Sequence, residues 1–187
     1  MTHAHTDGRP GGIPSGPAAA WRGPVPAHTG HVRGIRELVK PYVSSRAIVA
    51  KPAVSYFETL QEFLVVVDPE QDTRVLGCGA LHVMWEDVAE VRTLAVHPSL
   101  KGQGAGSAIL SKLLERARAI GVSRVFCLTF ETAFFGSHGF AEIEGDPVTP
   151  DVYAELLQSY DEGVAEFLDL DRVKPNTLGN ARMLLQL

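Results

Sequence analysis

The segment Leu94-Ala-Val-His-Pro-Ser-Leu-Lys-Gly-Gln-Gly-Ala-Gly-Ser-Ala-Ile-Leu110 decides the fold of this chain. It begins as an apolar strand, passes through a loop with glycines on alternate positions (102, 104 and 106), and continues into an apolar-periodic helix. Glycine lets the backbone approach a ligand closely and adopt a positive φ at little steric cost. The helix start adds unpaired N–H groups and the positive end of the helix dipole, which together favour a phosphate. The segment therefore predicts a diphosphate-binding loop.

Two better-known phosphate loops fit the segment less well. A Walker loop ends in Gly-Lys-Ser/Thr, whereas Gly106 leads into Ser107-Ala108 with no lysine. The dinucleotide fingerprint needs a third glycine two residues further on and an acidic residue about twenty residues later. A glycine-rich β–α turn that binds no ligand remains the alternative interpretation of the loop alone.

The size and charge of the chain exclude several classes of protein. A chain of 187 residues is most simply one domain. Its net charge of −5 and pI near 5.8 argue against nucleic-acid binding, which usually needs a basic surface. No apolar run is long enough for a membrane span, and the N-terminus lacks the pattern of a signal peptide. We expect a cytoplasmic protein in which Cys78 and Cys127 are buried free thiols, with a disulfide as the alternative.

The first 24 residues differ in kind from the rest. They are rich in glycine and proline and have almost no periodic apolar pattern, which predicts a disordered tail over residues 1–24 and a folded domain over residues 25–187. His3, His5, His28 and His31 are spaced like no metal-ligand template, so we interpret them as solvated histidines of the tail. No metal site is expected.

The remaining pattern predicts strands and helices in a definite order. A short edge strand at residues 25–27 precedes a helix that starts near residues 29–31 and ends at Pro41, and a second helix covers residues 56–60. Residues 62–67, 75–84 and 89–97 are predicted to form an antiparallel meander. The helix after the glycine loop buries one face and stops at Gly121; that face comprises Ile109, Leu110, Leu113, Leu114, Ala117 and Ile120. Strands at 123–128, 140–143 and 183–187 and helices at 133–139 and 150–160 complete the chain.

Over about residues 25–145 this order resembles the GNAT superfamily of acetyltransferases. Lys101, Gly104 and Gly106 occupy the positions of its Gln/Arg-x-x-Gly-x-Gly/Ala signature, although lysine replaces the usual Gln or Arg. The phrase Phe134–Phe140 is similar to the aromatic-x-x-x-Gly-Phe ending of that family. The resemblance implies an α/β (α+β) GNAT fold: a mixed central sheet of about 6–8 strands, with an antiparallel meander and flanking helices.

The resemblance also implies acetyl-CoA as a co-substrate. Its diphosphate would lie on the amides of Gln103 through Ser107, and its pantetheine would run along the strand like an added strand. The backbone N–H near Val96 would point at the thioester oxygen, where negative charge develops. The implied donor-binding residues are Leu94, Ala95, Val96, Lys101, Gly102, Gln103, Gly104, Ala105, Gly106 and Ser107.

Glu90 and Arg92 are the candidate residues for the acceptor. Period-two alternation places both side chains on one face of their strand. Arginine can hold a carboxylate with two hydrogen bonds, and a carboxylate can take the proton that an ammonium must lose before attack. This pair therefore suits a free amino acid, with Glu90 as the catalytic base. The alternative is a structural ion pair on the sheet, worth little.

A closer resemblance is to the amino-acid N-acetyltransferases of arginine biosynthesis, the N-acetylglutamate synthases, in their short stand-alone form. The similar phrases are Gly77–Leu81, Glu90–Val96, Leu128–Thr132, Phe134–Phe140 and Lys174–Leu184. The likeness implies acetylation of L-glutamate, with L-glutamine as a further acceptor. It implies that Arg92, Lys174 and Arg182 recognise carboxylates and that Asn176 or Asn180 orients them. A solvated basic turn is the alternative for the tail, and the oligomeric state stays open, with a homodimer known among relatives.

One position departs from the GNAT pattern. Many relatives use a tyrosine four residues before the glycine of Gly-Phe to protonate the leaving thiolate, and here that position is Phe135. Ser137, His138 and Tyr160 are possible substitutes, each more easily explained as structural, and His82 is interpreted as a core-edge residue. Two competing functions follow: acetylation of another amine, such as a different amino acid, a peptide N-terminus or a drug, and a non-catalytic acyl-CoA sensor.

Overall fold

A computed structural model describes residues 20–45, 47–145, 147–171 and 179–187. Within these residues the helices are α1 (Val32–Ser44), α2 (Ala53–Glu58), α3 (Ala105–Ala119), α4 (Thr132–Gly136), α5 (Pro150–Leu156) and α6 (Glu162–Phe167). The strands are β1 (Arg22–Pro26), β2 (Phe63–Val67), β3 (Val75–Val83), β4 (Val88–Val96), β5 (Arg124–Thr129), β6 (Ala141–Glu142) and β7 (Ala181–Gln186).

The described strands form one mixed sheet in the order β1-β2-β3-β4-β5-β7-β6. Antiparallel pairing joins β1 through β4, which confirms the predicted meander. The β4–β5 pair is parallel and is connected through α3, whereas β5 and β6 both pair antiparallel with β7. The predicted α/β fold with a mixed sheet and flanking helices is confirmed.

The helix α3 covers one face of the sheet. The predicted apolar stripe from Ile109 to Ala117 is buried, and it packs against β2, β3 and β4. Glycines in β3 make this close approach possible, because a Cβ on Gly79 would lie 2.8 Å from Cγ2 of Ile109. Ile120 was predicted to join the stripe, but it lies past the last helical residue and is 51% exposed. The prediction is wrong at that position because the helix ends one residue earlier.

The helix α1 covers the opposite face, together with Tyr56. The prediction that this helix ends at Pro41 is wrong, since three further residues remain helical. Proline inside a helix removes a hydrogen bond and costs about 3 kcal/mol. The last turn is retained because Tyr42 and Val43 pack against the apolar cluster on that face of the sheet.

The N-terminal edge of the domain also differs from the prediction. The strand β1 begins at Arg22, so residues 22–24, which the sequence assigned to the tail, belong to the sheet. Residues 1–19, including His3 and His5, lie outside the described residues. Cys78 and Cys127 are buried free thiols, as predicted. In the part of the chain that the structure covers, no helix is both long enough and apolar enough to cross a bilayer.

The interpretation of His31 as a solvated tail histidine is wrong, whereas His28 is exposed but belongs to the folded domain and not to the tail. His31 is only 1% exposed, and the two imidazoles stack with their centroids 3.6 Å apart. Each Nδ1 accepts a backbone N–H, from Gly30 at 3.2 Å and from His28 at 3.1 Å, which caps the turn that precedes α1. The Nε2 atoms lie 3.2 Å and 3.5 Å from Oδ2 of Asp72. Because each Nδ1 accepts a backbone N–H, a neutral ring here carries its proton on Nε2. One ligand atom from each of His28, His31 and Asp72 lies within 4.8 Å of the other two.

Candidate active site

The glycine loop ends in the helix start that the sequence predicts. Gly102 and Gly104 have φ values of 77° and 79°, and an added Cβ on either would meet no protein atom within 4 Å. Gly104 is the N-cap of α3, so the amides of residues 105–107 have no partner within the helix. The amide of Gln103 is different, since it donates to the carbonyl of Leu100 at 3.1 Å. The predicted set of phosphate-binding amides therefore narrows to residues 104–107.

The strand β4 separates from β5 directly after Glu90. Pairing between these parallel strands runs only from Val88 with Arg124 to Glu90 with Phe126. On its other side β4 stays paired with β3 as far as Val96, but its register shifts between Arg92 and Ala95. Thr93, inside this bulge, has a positive φ of 57°. A bulge bends its strand, so one edge of β4 from residue 91 to residue 96, the open edge, has no strand partner in the described sheet.

The direction of the backbone groups at Val96 follows from its neighbour. The N–H of His97 donates to the carbonyl of Leu76 in β3 at 2.8 Å. Because backbone groups alternate in direction along a strand, the N–H and the C=O of Val96 point away from β3, onto the open edge. Strand groups that face an open edge can bind an extended chain as an added strand, although the carbonyl of Val96 already accepts the hydroxyl of Tyr42 at 2.6 Å. This geometry supports the predicted role for the strand Leu94, Ala95 and Val96.

Glu90 and Arg92 share one face, as predicted, and a third residue joins them. Nε and Nη2 of Arg92 donate to Oε2 of Glu90 at 2.9 Å and 2.6 Å. Nη1 and Nη2 of Arg92 donate to Oδ2 and Oδ1 of Asp161 at 3.0 Å and 2.9 Å. These bonds use four of the five N–H groups of the guanidinium. Burial alone would raise the pKa of Asp161, but Arg92 lowers that pKa to about 2.

Further charged groups surround this ion pair. Nδ1 of His82 lies 2.8 Å from Oε1 of Glu62, and its Nε2 lies 3.9 Å from Oδ2 of Asp161. His82 is therefore part of a polar cluster and not only a core-edge residue. Lys51 lies within electrostatic reach of the cluster, and burial, aided by the charge of Arg92, lowers its pKa. We call Lys51, Glu62, His82, Glu90, Arg92 and Asp161 the acceptor cluster.

The helix α6 closes over the acceptor cluster. Asp161 caps it by accepting the N–H groups of Gly163 and Val164 at 2.8 Å and 3.2 Å. A Cβ on Gly163 would lie 2.1 Å from Oε2 of Glu90, so only glycine fits against the carboxylate. Glu166, on the same helix, is 7% exposed; burial, with the charges of Glu162 and Glu90, raises its pKa to about 7.

The predictions for the acceptor residues near the C-terminus differ in how far the structure describes them. Lys174 and Asn176 lie outside the described residues. Arg182 pairs with Leu128 in the sheet and donates to the carbonyls of Gly145 and Phe167, so its guanidinium is engaged by backbone. Asn180 is half-buried, and its Oδ1 has no hydrogen-bond partner among the described residues. The proposed carboxylate contacts of these residues stay predictions.

The structure also shows where Phe135 lies, together with the three candidate proton donors Ser137, His138 and Tyr160. Phe135 is 5% exposed and packs edge-on against Phe140, so it is a core residue. Oγ of Ser137 and Nδ1 of His138 both bond to the carbonyl of Phe134, at 2.7 Å and 2.9 Å. Tyr160 is 98% exposed. Local structure therefore explains Ser137 and His138, as expected, whereas the exposed Tyr160 has no structural role to support that expectation among the described contacts.

Sequence reasoning missed Asp161 and Glu62, because no local pattern shows that they reach the site. An aspartate before Glu162-Gly-Val indicates a helix start, and Asp161 does cap α6, but only the fold brings it to Arg92. Glu62 directly precedes β2, whose pairing of Phe63 with Ala80 brings it near His82. Neither the contact of Asp161 with Arg92 nor that of Glu62 with His82 follows from a local sequence pattern, because each joins residues that are far apart in the chain.

Comparison with known proteins identifies the family. A family model described as "Acetyltransferase (GNAT) family" matches residues 34–143, which is more than half of the chain. The chain belongs to the GNAT family of acetyltransferases. This match covers the sheet from β2 to β6, the glycine loop and the open edge of β4.

Relatives narrow the comparison to amino-acid acetyltransferases. This GNAT chain is 53% identical over 161 residues to the amino-acid acetyltransferase of Mycobacterium tuberculosis (strain ATCC 25618 / H37Rv), covering 86% of this chain and 92% of that protein. It is 32% identical to the amino-acid acetyltransferase of Neisseria meningitidis (strain Z2491), where the match covers 64% of this chain and 27% of the longer protein. The shared name supports amino-acid N-acetylation.

Solved structures show the same fold. A Mycobacterium tuberculosis protein crystallised with CoA and NLQ superposes with a TM-score of 0.83 at 52% identity, covering 87% of this chain and 98% of that one. The N-acetylglutamate synthase of Neisseria gonorrhoeae, complexed with coenzyme A and N-acetyl-glutamate, has a TM-score of 0.67 at 22% identity, covering 87% of this chain and 34% of that one. The second comparison concerns the fold alone.

Proposed function

We propose that this GNAT protein transfers the acetyl group of acetyl-CoA to the α-amino group of L-glutamate. The products are N-acetyl-L-glutamate and CoA, and the reaction would serve as the first step of arginine biosynthesis. The observation that carries the proposal is the position of Glu90. Its carboxylate lies beside Arg92, at the residue where β4 separates from β5. A base and a cation therefore lie next to the start of the open edge.

The donor side supports acetyl-CoA. A diphosphate would bind the amides of residues 104–107, with the positive end of α3 behind them. The open edge of β4 would pair with the amide groups of the pantetheine arm, and a backbone N–H near Val96 would face the thioester oxygen. Acetyl-CoA supplies an activated acyl group, whose thiol is already a tolerable leaving group because thiols have a pKa near 8.5.

The acceptor side supports a free amino acid. Glu90 would take the proton that the α-ammonium must lose, directly or through a water molecule. Among the described residues, one N–H of the Arg92 guanidinium has no acceptor, and Lys51 adds a second cation nearby. These two groups would receive the α-carboxylate, with Lys174 and Arg182 as the further cations that the resemblance implies.

L-Glutamine is a second candidate acceptor, and the charge of the acceptor cluster favours it. The cluster holds the carboxylates of Glu62, Glu90 and Asp161 against the cations of Lys51 and Arg92. A second carboxylate on the substrate would meet this excess of negative charge, whereas an uncharged amide would not. Glutamate needs further cations at its side chain, and glutamine needs none.

An acceptor panel tests the proposal. CoA release would be followed by thiol detection with acetyl-CoA and L-glutamate, L-glutamine, L-leucine or a short peptide as the acceptor. We expect turnover with glutamate or glutamine well above that with leucine or the peptide. Equal rates across the panel would contradict the amino-acid assignment. CoA binding without turnover by any acceptor would instead support the acyl-CoA sensor.

A further inference from the structure

Lys51 lies on the connection between α1 and α2, and this connection is fixed beside the open edge of β4. The N–H groups of Ala47 and Ile48 donate to the carbonyl of Tyr42 at 2.9 Å and 3.2 Å. The hydroxyl of Tyr42 in turn donates to the carbonyl of Val96, at the end of the open edge. The segment that leads to Lys51 therefore starts next to the edge proposed for the acetyl donor.

The same connection lies on the face of the sheet to which the proposed base points. Ala89 and Val91 are buried in the apolar cluster under α3, so Glu90, between them in the strand, points to the opposite face. Ile48 packs against the apolar cluster on that opposite face. From this connection Lys51 is within electrostatic reach of the carboxylates and the guanidinium of the acceptor cluster. An amine of the protein itself thus lies between the open edge and the base.

The amine of Lys51 is not held in an ion pair among the described residues. The three carboxylates of the acceptor cluster pair instead with its guanidinium and its imidazole. Burial, followed by the charge of Arg92, lowers the pKa of Lys51, although the same carboxylates oppose the shift. A larger fraction of this side chain than of an ordinary lysine is therefore the neutral amine, which is the form that attacks a thioester.

We propose that bound acetyl-CoA acetylates Lys51 of its own chain when the amino acid is absent, an inference that rests on the proposed function. The ammonium of Lys51 first loses a proton to water. Its nitrogen then bonds to the acetyl carbon, and the carbon–sulfur bond breaks with its electron pair on sulfur. Glu90 takes a second proton from that nitrogen and passes it to water, and the thiolate takes a proton from water. The products are CoA and a lysine whose ε-nitrogen carries the acetyl group.

This modification would make the activity depend on the supply of the amino acid. A bound amino acid occupies the acceptor cluster, and its α-carboxylate would keep Lys51 as the charged, unreactive ammonium. Without it, the amine is left to react with the donor. Acetylation removes the positive charge that would receive the α-carboxylate, so the modified protein should bind its acceptor more weakly and CoA as before.

Mass spectrometry of the full-length protein after incubation with acetyl-CoA alone tests the inference. We expect Lys51 to gain an acetyl group at least about 100-fold faster than Lys40 or Lys112, because a bound thioester reacts at a high effective concentration. Both of these lysines are exposed, so they measure unassisted acetylation in the same sample. Saturating L-glutamate or L-glutamine should protect Lys51. The rate per chain should not depend on the protein concentration, because the reaction is intramolecular.

Two variants separate an assisted reaction from mere exposure. Glu90→Gln should slow the acetylation of Lys51 about 100-fold, because the nitrogen loses its base, while Lys40 reacts at the parent rate. Lys51→Arg keeps a cation but offers no amine to the thioester. Preincubation with acetyl-CoA should therefore raise the KM of the parent for the amino acid about tenfold and leave that of Lys51→Arg unchanged.

Several results would overturn the inference. They are equal acetylation of Lys51 and Lys40, no protection by either amino acid, a rate per chain that rises with protein concentration, and a parent rate in Glu90→Gln. If an amino acid is turned over while Lys51 stays unmodified, the inference alone fails and the proposed function stands. Acetylation of Lys51 without turnover of any free amino acid would overturn the proposed function instead.

Discussion

The two halves of the candidate site are built in different ways. The donor half, formed by the glycine loop and the open edge of β4, consists of backbone N–H and C=O groups from one continuous stretch, residues 94–107. The acceptor cluster consists of side chains from five separate parts of the chain, brought together by the meander and by α6. Under the proposed function, the backbone groups would bind the part of the molecule that all acyl-CoA donors share. The side chains would select the amine, so a substitution in one half should leave the other half intact.

Glu90→Gln should give the largest effect of any single change and should confine it to the acceptor half. The amide keeps an oxygen for Arg92 but cannot take a proton, so kcat should fall about 100- to 10,000-fold. CoA affinity, measured by calorimetry, should not change. Glu115→Gln, on the exposed surface of α3, is the control and should retain parent kcat. A Glu90→Gln enzyme with full activity would remove Glu90 from the chemistry.

Gly163→Ala should damage the same half through shape alone. The new Cβ would lie 2.1 Å from Oε2 of Glu90 and 2.8 Å from Nη2 of Arg92, so both side chains must move. We expect kcat/KM for the amino acid to fall at least about tenfold, which corresponds to about 1.4 kcal/mol. Gly136→Ala, where a Cβ meets nothing within 4 Å, is the matched control. Parent activity in Gly163→Ala would show that the contact of α6 with Glu90 is not needed.

Gly104→Ala should damage the donor half and leave acceptor recognition intact. A methyl group there meets no protein atom within 4 Å, so it projects into the space proposed for the diphosphate. The positive φ adds a backbone cost of about 1–2 kcal/mol. Gly121→Ala is the control, because Gly121 has a φ of 89° and an equally open environment at the other end of α3. Calorimetry should show CoA affinity reduced about tenfold in the first variant only. Equal losses of CoA affinity in Gly104→Ala and Gly121→Ala would show that backbone strain, and not a blocked diphosphate site, causes the effect.

The contrast between the halves also explains what the sequence could predict. The meander, the parallel crossover through α3 and the glycine loop were predictable because each depends on a local pattern of apolar residues and glycines. The pairing of Arg92 with Asp161, 69 positions apart, was not, because it depends on where α6 lies. The continuation of α1 past Pro41 was missed for a related reason. Proline usually ends a helix, and only the packing beneath α1 shows that this one continues.

The smallest expected effect concerns a region outside both halves. Burial, followed by the charge of His28, lowers the pKa of His31, although Asp72 opposes the shift. The unfolded chain therefore binds a proton at higher pH than the folded chain does, and the free energy of unfolding should fall as the pH drops through the ordinary histidine pKa of about 6.5. Urea titrations between pH 5 and pH 8 would measure the slope. His31→Asn, which keeps an acceptor for the N–H of His28, should reduce it, and an unchanged slope would contradict this assignment.

Amide chemical shifts measured during two titrations test the central claim most directly. In ¹⁵N-labelled protein, CoA should shift the amides of Gly104 to Ser107 and of Val96. A subsequent addition of the amino acid should shift those of Glu90, Arg92 and Gly163. Coenzyme shifts elsewhere on the molecule, or an amino acid that perturbs the glycine loop and leaves the acceptor cluster unmoved, would contradict the account.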